Sequence, residues 1–313
     1  KLNLEAMAEL PCTLSSFDDL TISFYPLPIP DAGIDSTICV NGTITLYGDT
    51  TFSSTVQWSS VGDGTFSDAS LIDAIYTPGP TDIIDDSVIL ILQANPNFPC
   101  ADSRADSMVV YFDPLPIADA GIDEVICVDQ VFITSGTLTH SITSTWTTTG
   151  NGTFDNPSEL ITTYNPGTTD LTNGSVELIL IANAVLPCTD SNSDTLTLSF
   201  DPLPIANAGI DSTICVNGSI ILYGTRTNSN ASSWVSAGDG VFDDANLLNA
   251  LYTPGITDKV AGFVELTLTA SAINPCTVDS LDLMILSFDP LPIPDAGADT
   301  TICVNGTITL YGD

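Results

Sequence analysis

Apolar and polar residues alternate one by one along much of the chain. Leu20, Ile22 and Phe24 are separated by Thr21 and Ser23, and Ile44 and Leu46 by Thr45. Val264, Leu266 and Leu268 are separated by Glu265 and Thr267. A period of two lays every second side chain on one face of a strand, so these segments predict strands with one buried face. The run VILIL from Val88 to Leu92 reads as the interior of a buried strand. It is far shorter than the ~18 apolar residues a membrane helix needs. Asn-Gly, Gly-Asp-Gly and Thr-Pro-Gly turn signals separate the runs, and no segment carries a convincing helical period.

The pattern recurs. PLPIPDAGIDSTIC from Pro26 returns as PLPIADAGIDEVIC from Pro114, PLPIANAGIDSTIC from Pro202 and PLPIPDAGADTTIC from Pro290, each step being 88 residues. Trp58, Trp146 and Trp234 keep the same step, as do Tyr76, Tyr164 and Tyr252. A fixed long period marks a tandem array. Complete copies are expected at 26–113, 114–201 and 202–289, with 1–25 the C-terminal part of a preceding copy and 290–313 the N-terminal part of a following one. The chain then reads as a window of a longer polymer, and a missing signal peptide says nothing about targeting.

Within the first copy, strands are expected at Asp31–Ile38, Thr43–Tyr47, around Val56 and Trp58, near Tyr76, and at Ser87–Ala94 and Asp106–Phe112. Seven or so short strands in 88 residues predict a two-sheet sandwich. Pro114 and Pro116 then hold an extended, stiff joint.

The phrases DAGIDSTIC, a Trp before GDGTF, YTPG, SVILIL, PC and DSMVVYF resemble the PKD-like, immunoglobulin-like repeats of giant secreted surface proteins of Bacteroidota. Such proteins are often exported by the type IX system, and some are gliding-motility adhesins. The resemblance covers every repeat. It implies an all-β fold, a tandem array of immunoglobulin-like (PKD-like) β-sandwich domains, together with an extracellular, cell-surface location and a stalk or adhesin role. It supplies no catalytic residue.

Charge narrows the partners. There are 39 acidic residues against 4 basic ones, a net charge of −35, which disfavours nucleic acid and anionic membranes. A hydrophobic content of 43% separates the chain from disordered acidic tails. The expected partners are neighbouring repeats of the same polypeptide and an unidentified surface or glycan ligand, with no membrane insertion.

No catalytic constellation recurs at the repeat, so no enzyme is expected. His140 is the single histidine, and Arg104, Arg226 and Lys259 are scattered. Asp63 and Asp239 sit in Gly-Asp-Gly, where the middle copy has Asn151, and both residue types suit a tight turn. Carboxylates at the joints are candidate Ca²⁺ ligands: Asp119 and Asp123 after Asp113, and Asp295 and Asp299 after Asp289. The set is incomplete elsewhere, with Tyr25 in place of Asp113 and Asn207 in place of Asp119. Solubility and turn chemistry account for the same residues, and no cofactor is expected. Asp-Ser/Thr-apolar triplets at Ser36, Ser107, Thr195 and Ser212 are similar to sites that Bacteroidota O-glycosylate. Asn41-Gly42-Thr43 and Asn217-Gly218-Ser219 match the N-linked pattern, and Asn-Gly is equally a good turn.

The cysteines stand at 12, 39, 100, 127, 188, 215, 276 and 303, with gaps alternating 27 and 61. Regular spacing in small repeated modules points to structural disulfides in an oxidising setting. Joining Cys100 to Cys127 fails on reach: the intervening segment is extended throughout and spans up to about 85 Å, against the ~5.5 Å between Cα atoms of a disulfide. Two schemes remain. One joins cysteines within a copy, as Cys39–Cys100, Cys127–Cys188 and Cys215–Cys276. The other joins neighbouring copies, as Cys39–Cys188 and Cys127–Cys276, leaving Cys12, Cys100, Cys215 and Cys303 to partners outside this window. An immunoglobulin-like strand order places Cys39 and Cys100 at opposite poles of one copy, which favours the second scheme. A shaft built of such copies competes with a repeated glycan- or Ca²⁺-binding module. The shared aromatics fall on core positions of the alternation rather than on a common exposed cluster, which favours the shaft.

Overall fold

The structure is a computed structural model and describes residues 1–312. A hairpin of β1 (Leu2–Ala6) and β2 (Ser16–Leu20) comes first, and every residue of its two strands is exposed. The first full copy follows as β3 (Ile29–Asp31), β4 (Ser36–Cys39), β5 (Ile44–Thr45), β6 (Asp49–Thr51), β7 (Ser53–Ser60), β8 (Thr65–Phe66), β9 (Ile75–Thr77), α1 (Pro80–Ile84), β10 (Ser87–Pro96) and β11 (Arg104–Asp113). One sheet has the order β4-β11-β10-β7; its pairs are antiparallel except β4, which runs parallel to β11. The facing layer consists of β3-β6 and β5-β9-β8. The second copy repeats this order from Ile117–Asp119 to Asn192–Asp201, and the third from Ile205–Asn207 to Ser280–Asp289. The chain is a tandem array of immunoglobulin-like β-sandwich domains.

Alternation decides what each sandwich buries. In β10, Val88, Leu90, Leu92 and Ala94 point inward while Ile89 and Gln93 face out. Val88, Leu90 and Leu92 share one core with Trp58, which is 1% exposed, and Tyr76, which is fully buried. Phe66 lies between the two rings, stacked on Trp58 at 6.4 Å and tilted against Tyr76 at 4.9 Å. The same trio recurs as Trp146, Phe154, Tyr164 and as Trp234, Phe242, Tyr252.

Three features differ from the sequence expectation. The strand expected at Asp31–Ile38 is two strands in different sheets, β3 and β4. The chain crosses between the layers at Gly33, whose φ of +90° belongs to the left-handed region that glycine enters freely. Of the strand expected at Thr43–Tyr47 only Ile44–Thr45 forms, as β5 paired with β9, and the separate strand β6 beyond it pairs with β3. A helix of five or six residues stands in every copy, as α1, α2 (Thr168–Asn173) and α3 (Ile256–Ala261). Such helices are under two turns long, too short for a 3.6-residue period to show.

Trp146→Ala is expected to destabilise its sandwich by about 3–5 kcal/mol, as for other fully buried aromatic truncations. Hydrogen exchange along Ser175–Ala182, the strand paired with that of Trp146, should accelerate accordingly; unchanged protection there would contradict the burial described.

Candidate functional site: the clasped joint

The joint is built from the end of one copy and a loop of the next. Parallel pairing sets Cys39, the last residue of β4, opposite Asp113, the last residue of β11. The Val40 N–H donates to the Asp113 carbonyl at 3.0 Å and fixes that alignment. Cys39 therefore sits where the chain leaves its copy. The chain then runs through Pro114, which is exposed, and Pro116, which is buried in the next sandwich. From that sandwich Cys188 arrives on the loop before the last strand, held by its own N–H donating to the Val185 carbonyl at 3.0 Å. Its Sγ lies 3.4 Å from the Asp113 carbonyl oxygen.

Cys39 and Cys188 are disulfide-bonded, with Cα atoms 4.8 Å apart. Cys127 and Cys276 repeat the arrangement at the next joint, again 4.8 Å apart, with Cys276 Sγ 3.4 Å from the Asp201 carbonyl. All four of these cysteines are buried. At the first joint Asn41 Nδ2 also donates to Asp190 Oδ2 at 2.8 Å across the two copies. Cys12, Cys100, Cys215 and Cys303 are not bridged to one another within this chain. Cys100 Sγ lies 3.5 Å from the Tyr25 carbonyl, the position its equivalents occupy at the clasped joints.

The carboxylates singled out near the joints are engaged with backbone. Asp119 Oδ1 accepts the Gly121 N–H at 3.0 Å, and Asp295 Oδ1 accepts the Gly297 N–H at 2.8 Å, both as local turns. Asp123 Oδ1 accepts the Thr197 N–H at 2.7 Å, tying its strand to the last strand of the copy. Asp35 and Asp211 do the same to Val109 and Ile285. Asp299 is exposed. Among the described residues, no group of three or more His, Cys, Asp and Glu side chains is placed to hold a metal ion.

The aspartates of the Asp-Ser/Thr triplets belong to the same scheme. Asp106 and Asp194 accept from the Ala32 and Ala120 N–H groups at 2.8 Å each. Ser107 and Thr195 beside them are exposed, whereas Ser36 and Ser212 are half-buried and donate to the Ile34 and Ile210 carbonyls. His140 is exposed, and Arg226 braces its own loop through Ser229, Asn230 and Ser232.

A second polar centre recurs inside each copy. Asp82, Asp170 and Asp258 are buried carboxylates. Asp170 accepts the Tyr164 hydroxyl at 2.7 Å, the Gly167 N–H at 2.8 Å, the Asn151 N–H at 2.9 Å and the Gly152 N–H at 3.0 Å. Tyr76 and Tyr252 donate to Asp82 and Asp258 at 2.6 Å. A buried charge is tolerated when donors surround it in this way. A Cβ on Gly62 or Gly150 would fall inside the carboxylate, which explains the glycine that opens each Gly-Asp-Gly or Gly-Asn-Gly turn.

Asp63 and Asn151 in these turns each accept helix N-terminal N–H groups through Oδ1. An amide oxygen serves there as well as a carboxylate. The buried aspartates escaped the sequence reading, although Thr81-Asp82, Thr169-Asp170 and Thr257-Asp258 keep the 88-residue step.

Burial pushes the Tyr76, Tyr164 and Tyr252 hydroxyls up to about 12, with the neighbouring carboxylates adding to the shift. Burial also raises Asp170, but its bonds from Tyr164, Gly167, Asn151 and Gly152 outweigh this and hold it below the ordinary carboxylate value. Chemically these centres fix loops; none pairs a nucleophile with a base.

No family model and no curated protein sequence matches the chain. Solved structures similar to it include mouse cadherin-23 EC22-24, at 14% identity, covering 85% of this chain and 99% of that one with a TM-score of 0.42. Protocadherin gamma B2 extracellular cadherin domains 3-6 are 12% identical, covering 84% and 73% with a TM-score of 0.36. The I9-I11 tandem from titin is 11% identical, covering 84% and 100% with a TM-score of 0.35.

Three outcomes are expected. With free thiols alkylated, urea unfolding midpoints should fall as pH rises from about 10 to 12. The raised tyrosines favour the folded state fully below their unfolded value of 10.0 and lose that contribution as pH passes 12. Tyr164→Phe should remove its copy's share of the decline. On the acid side, the lowered Asp170 stabilises the fold above 3.8, and this is lost as pH falls through its lower folded value. Separately, the melting temperature should be the same in chelator and in millimolar Ca²⁺, because Asp119 and Asp123 are occupied by backbone; a ligand bound to the folded state would raise it.

Proposed function

We propose that this chain is a length of the shaft of an extracellular filament or giant surface adhesin. Its units, 26–113, 114–201 and 202–289, space a distal binding region from the cell and transmit force in adhesion or gliding. The observation that carries this reading is the disulfide from each joint to the next copy. A binding module has no need to weld its neighbours together, whereas a shaft under tension gains from it. The bridges also support an oxidising, extracellular setting. The cell-surface and gliding assignment rests on the resemblance of DAGIDSTIC, YTPG and their companions to Bacteroidota surface repeats.

The mechanical argument is one of path length. An unbridged sandwich pulled from its ends releases its whole length, roughly 300 Å for 88 residues at ~3.5 Å each. In the oxidised chain, the shortest covalent route from the first clasp to the second is the 61 links from Cys127 to Cys188. Single-molecule pulling of the oxidised chain from its ends should therefore release at most one step, of about 200 Å at ~3.5 Å per residue, and the reduced chain three steps of roughly 300 Å. Identical traces in the two states would overturn the shaft reading, as would three small steps of about 90 Å in the oxidised chain, which correspond to 27 free residues per copy.

A further inference from the structure

We infer that the two bridges turn the oxidised chain into a cable of three covalent strands, which stays one molecule when its backbone is cut. The inference goes beyond the shaft reading and holds whether or not force acts on the array. It rests on the order of the cysteines along the chain. The bridges Cys39–Cys188 and Cys127–Cys276 interleave, since Cys127 lies inside the first loop and Cys188 inside the second.

Each bridge fuses two points of the backbone into one clasp. Three runs of chain then connect the two clasps: 39–127, 127–188 and 188–276. Residues 1–39 hang from the first clasp and 276–313 from the second. Separating the two ends requires a break in all three runs. A break in one or two of them leaves the third in place. Bridges confined to single copies would behave differently, because each joint would then be a single strand of backbone.

The structure places the clasps and the vulnerable loops in different environments. The four bridged cysteines are buried, out of reach of an attacking thiol. The loops Ala101–Ser103, Asn156–Glu159 and Asn246–Leu247 are exposed, and such loop tips are where proteases cut. This length of an extracellular fibre would lose its continuity only after three independent cuts, one in each run between the two clasps.

The chain's few basic residues provide a direct test on the unaltered sequence. Trypsin can cut after Lys1, Arg104, Arg226 and Lys259 only. Arg104 lies in the first run, Arg226 and Lys259 lie in the third, and the middle run has no site. The free thiols are alkylated, and the oxidised chain is digested to completion in mild denaturant. The expected non-reduced product is a single species holding peptides 2–104, 105–226 and 260–313, with 227–259 released because it contains no cysteine. Reduction should separate the three.

Ser158→Lys, at an exposed loop position, adds a cut to the middle run. The non-reduced digest should then fall into two species, 2–104 with 159–226 and 105–158 with 260–313. Release of free 2–104 from the unaltered chain would overturn the inference and place the bridges within copies. A Ser158→Lys digest still in one piece would overturn it too. The digest of the unaltered chain involves no substitution, so that arm of the test does not depend on how well the variant folds.

Discussion

Everything particular to this array depends on one pairing, the parallel run of β4 beside β11. Without it, Cys39 would end a strand at some arbitrary place on the sandwich. With it, Cys39 ends level with Asp113, at the pole where the chain leaves the copy. The loop between the last two strands lies at the opposite pole, because β10 and β11 are antiparallel. In the next copy that loop faces back toward the joint, and its cysteine touches the Asp113 carbonyl. The bridge between neighbours is thus a consequence of strand direction. The aspartates at 35, 123 and 211 secure that direction by accepting N–H groups of the last strand, at 2.7–2.8 Å.

Strict alternation made the long strands legible in the sequence, and so did the 88-residue step of the tryptophans and tyrosines. Both signals come from burial, and burial is what a binary pattern records. The places that escaped are those where hydrogen bonds decide. Gly33 divides one expected strand into β3 and β4 because the backbone must turn left-handed there to change sheets. The alternation from Ile44 predicts a strand to Tyr47, yet only Ile44–Thr45 pairs, with β9, and the next stretch to pair, Asp49–Thr51, joins β3 instead. Asp82 and its equivalents look like surface acids in a chain with 39 of them, although they are buried under tyrosine hydroxyls. Their 88-residue step is shared by Asp35, Asp123 and Asp211 and by Asp106, Asp194 and Asp282, so it marks structural aspartates without telling the buried ones apart.

The acidic composition consequently serves two purposes. Part of it is solvated surface, as the balance of 39 acids to 4 bases suggests. Another part is structural and repeats with the fold: one aspartate under the tyrosine, one securing β4, and one at the start of the last strand accepting from Ala32, Ala120 or Ala208. The Asp-Ser/Thr phrases arise from these positions. Asp35, Asp106, Asp194 and Asp211 are each accounted for by a backbone N–H. The triplet spelling therefore has a sufficient cause in strand registration.

Loop closure alone gives each bridge a modest role. In the chain-entropy model a loop of 149 residues contributes about 5 kcal/mol, and the two loops share the run 127–188, so their effects do not add. The topological effect is of a different kind. The middle copy is crossed by three covalent strands: its entry segment 114–127, its body 127–188 and its exit strand from Cys188. Drawing the clasps apart requires slack from all three. The entry segment can gain slack only if the first copy unfolds, and the exit strand only if the third does. Three sandwiches that would otherwise open one at a time must open together. Resistance to extension then scales with the sum of their stabilities rather than with the weakest copy. A repeated module thereby becomes a continuous fibre without any change in its core.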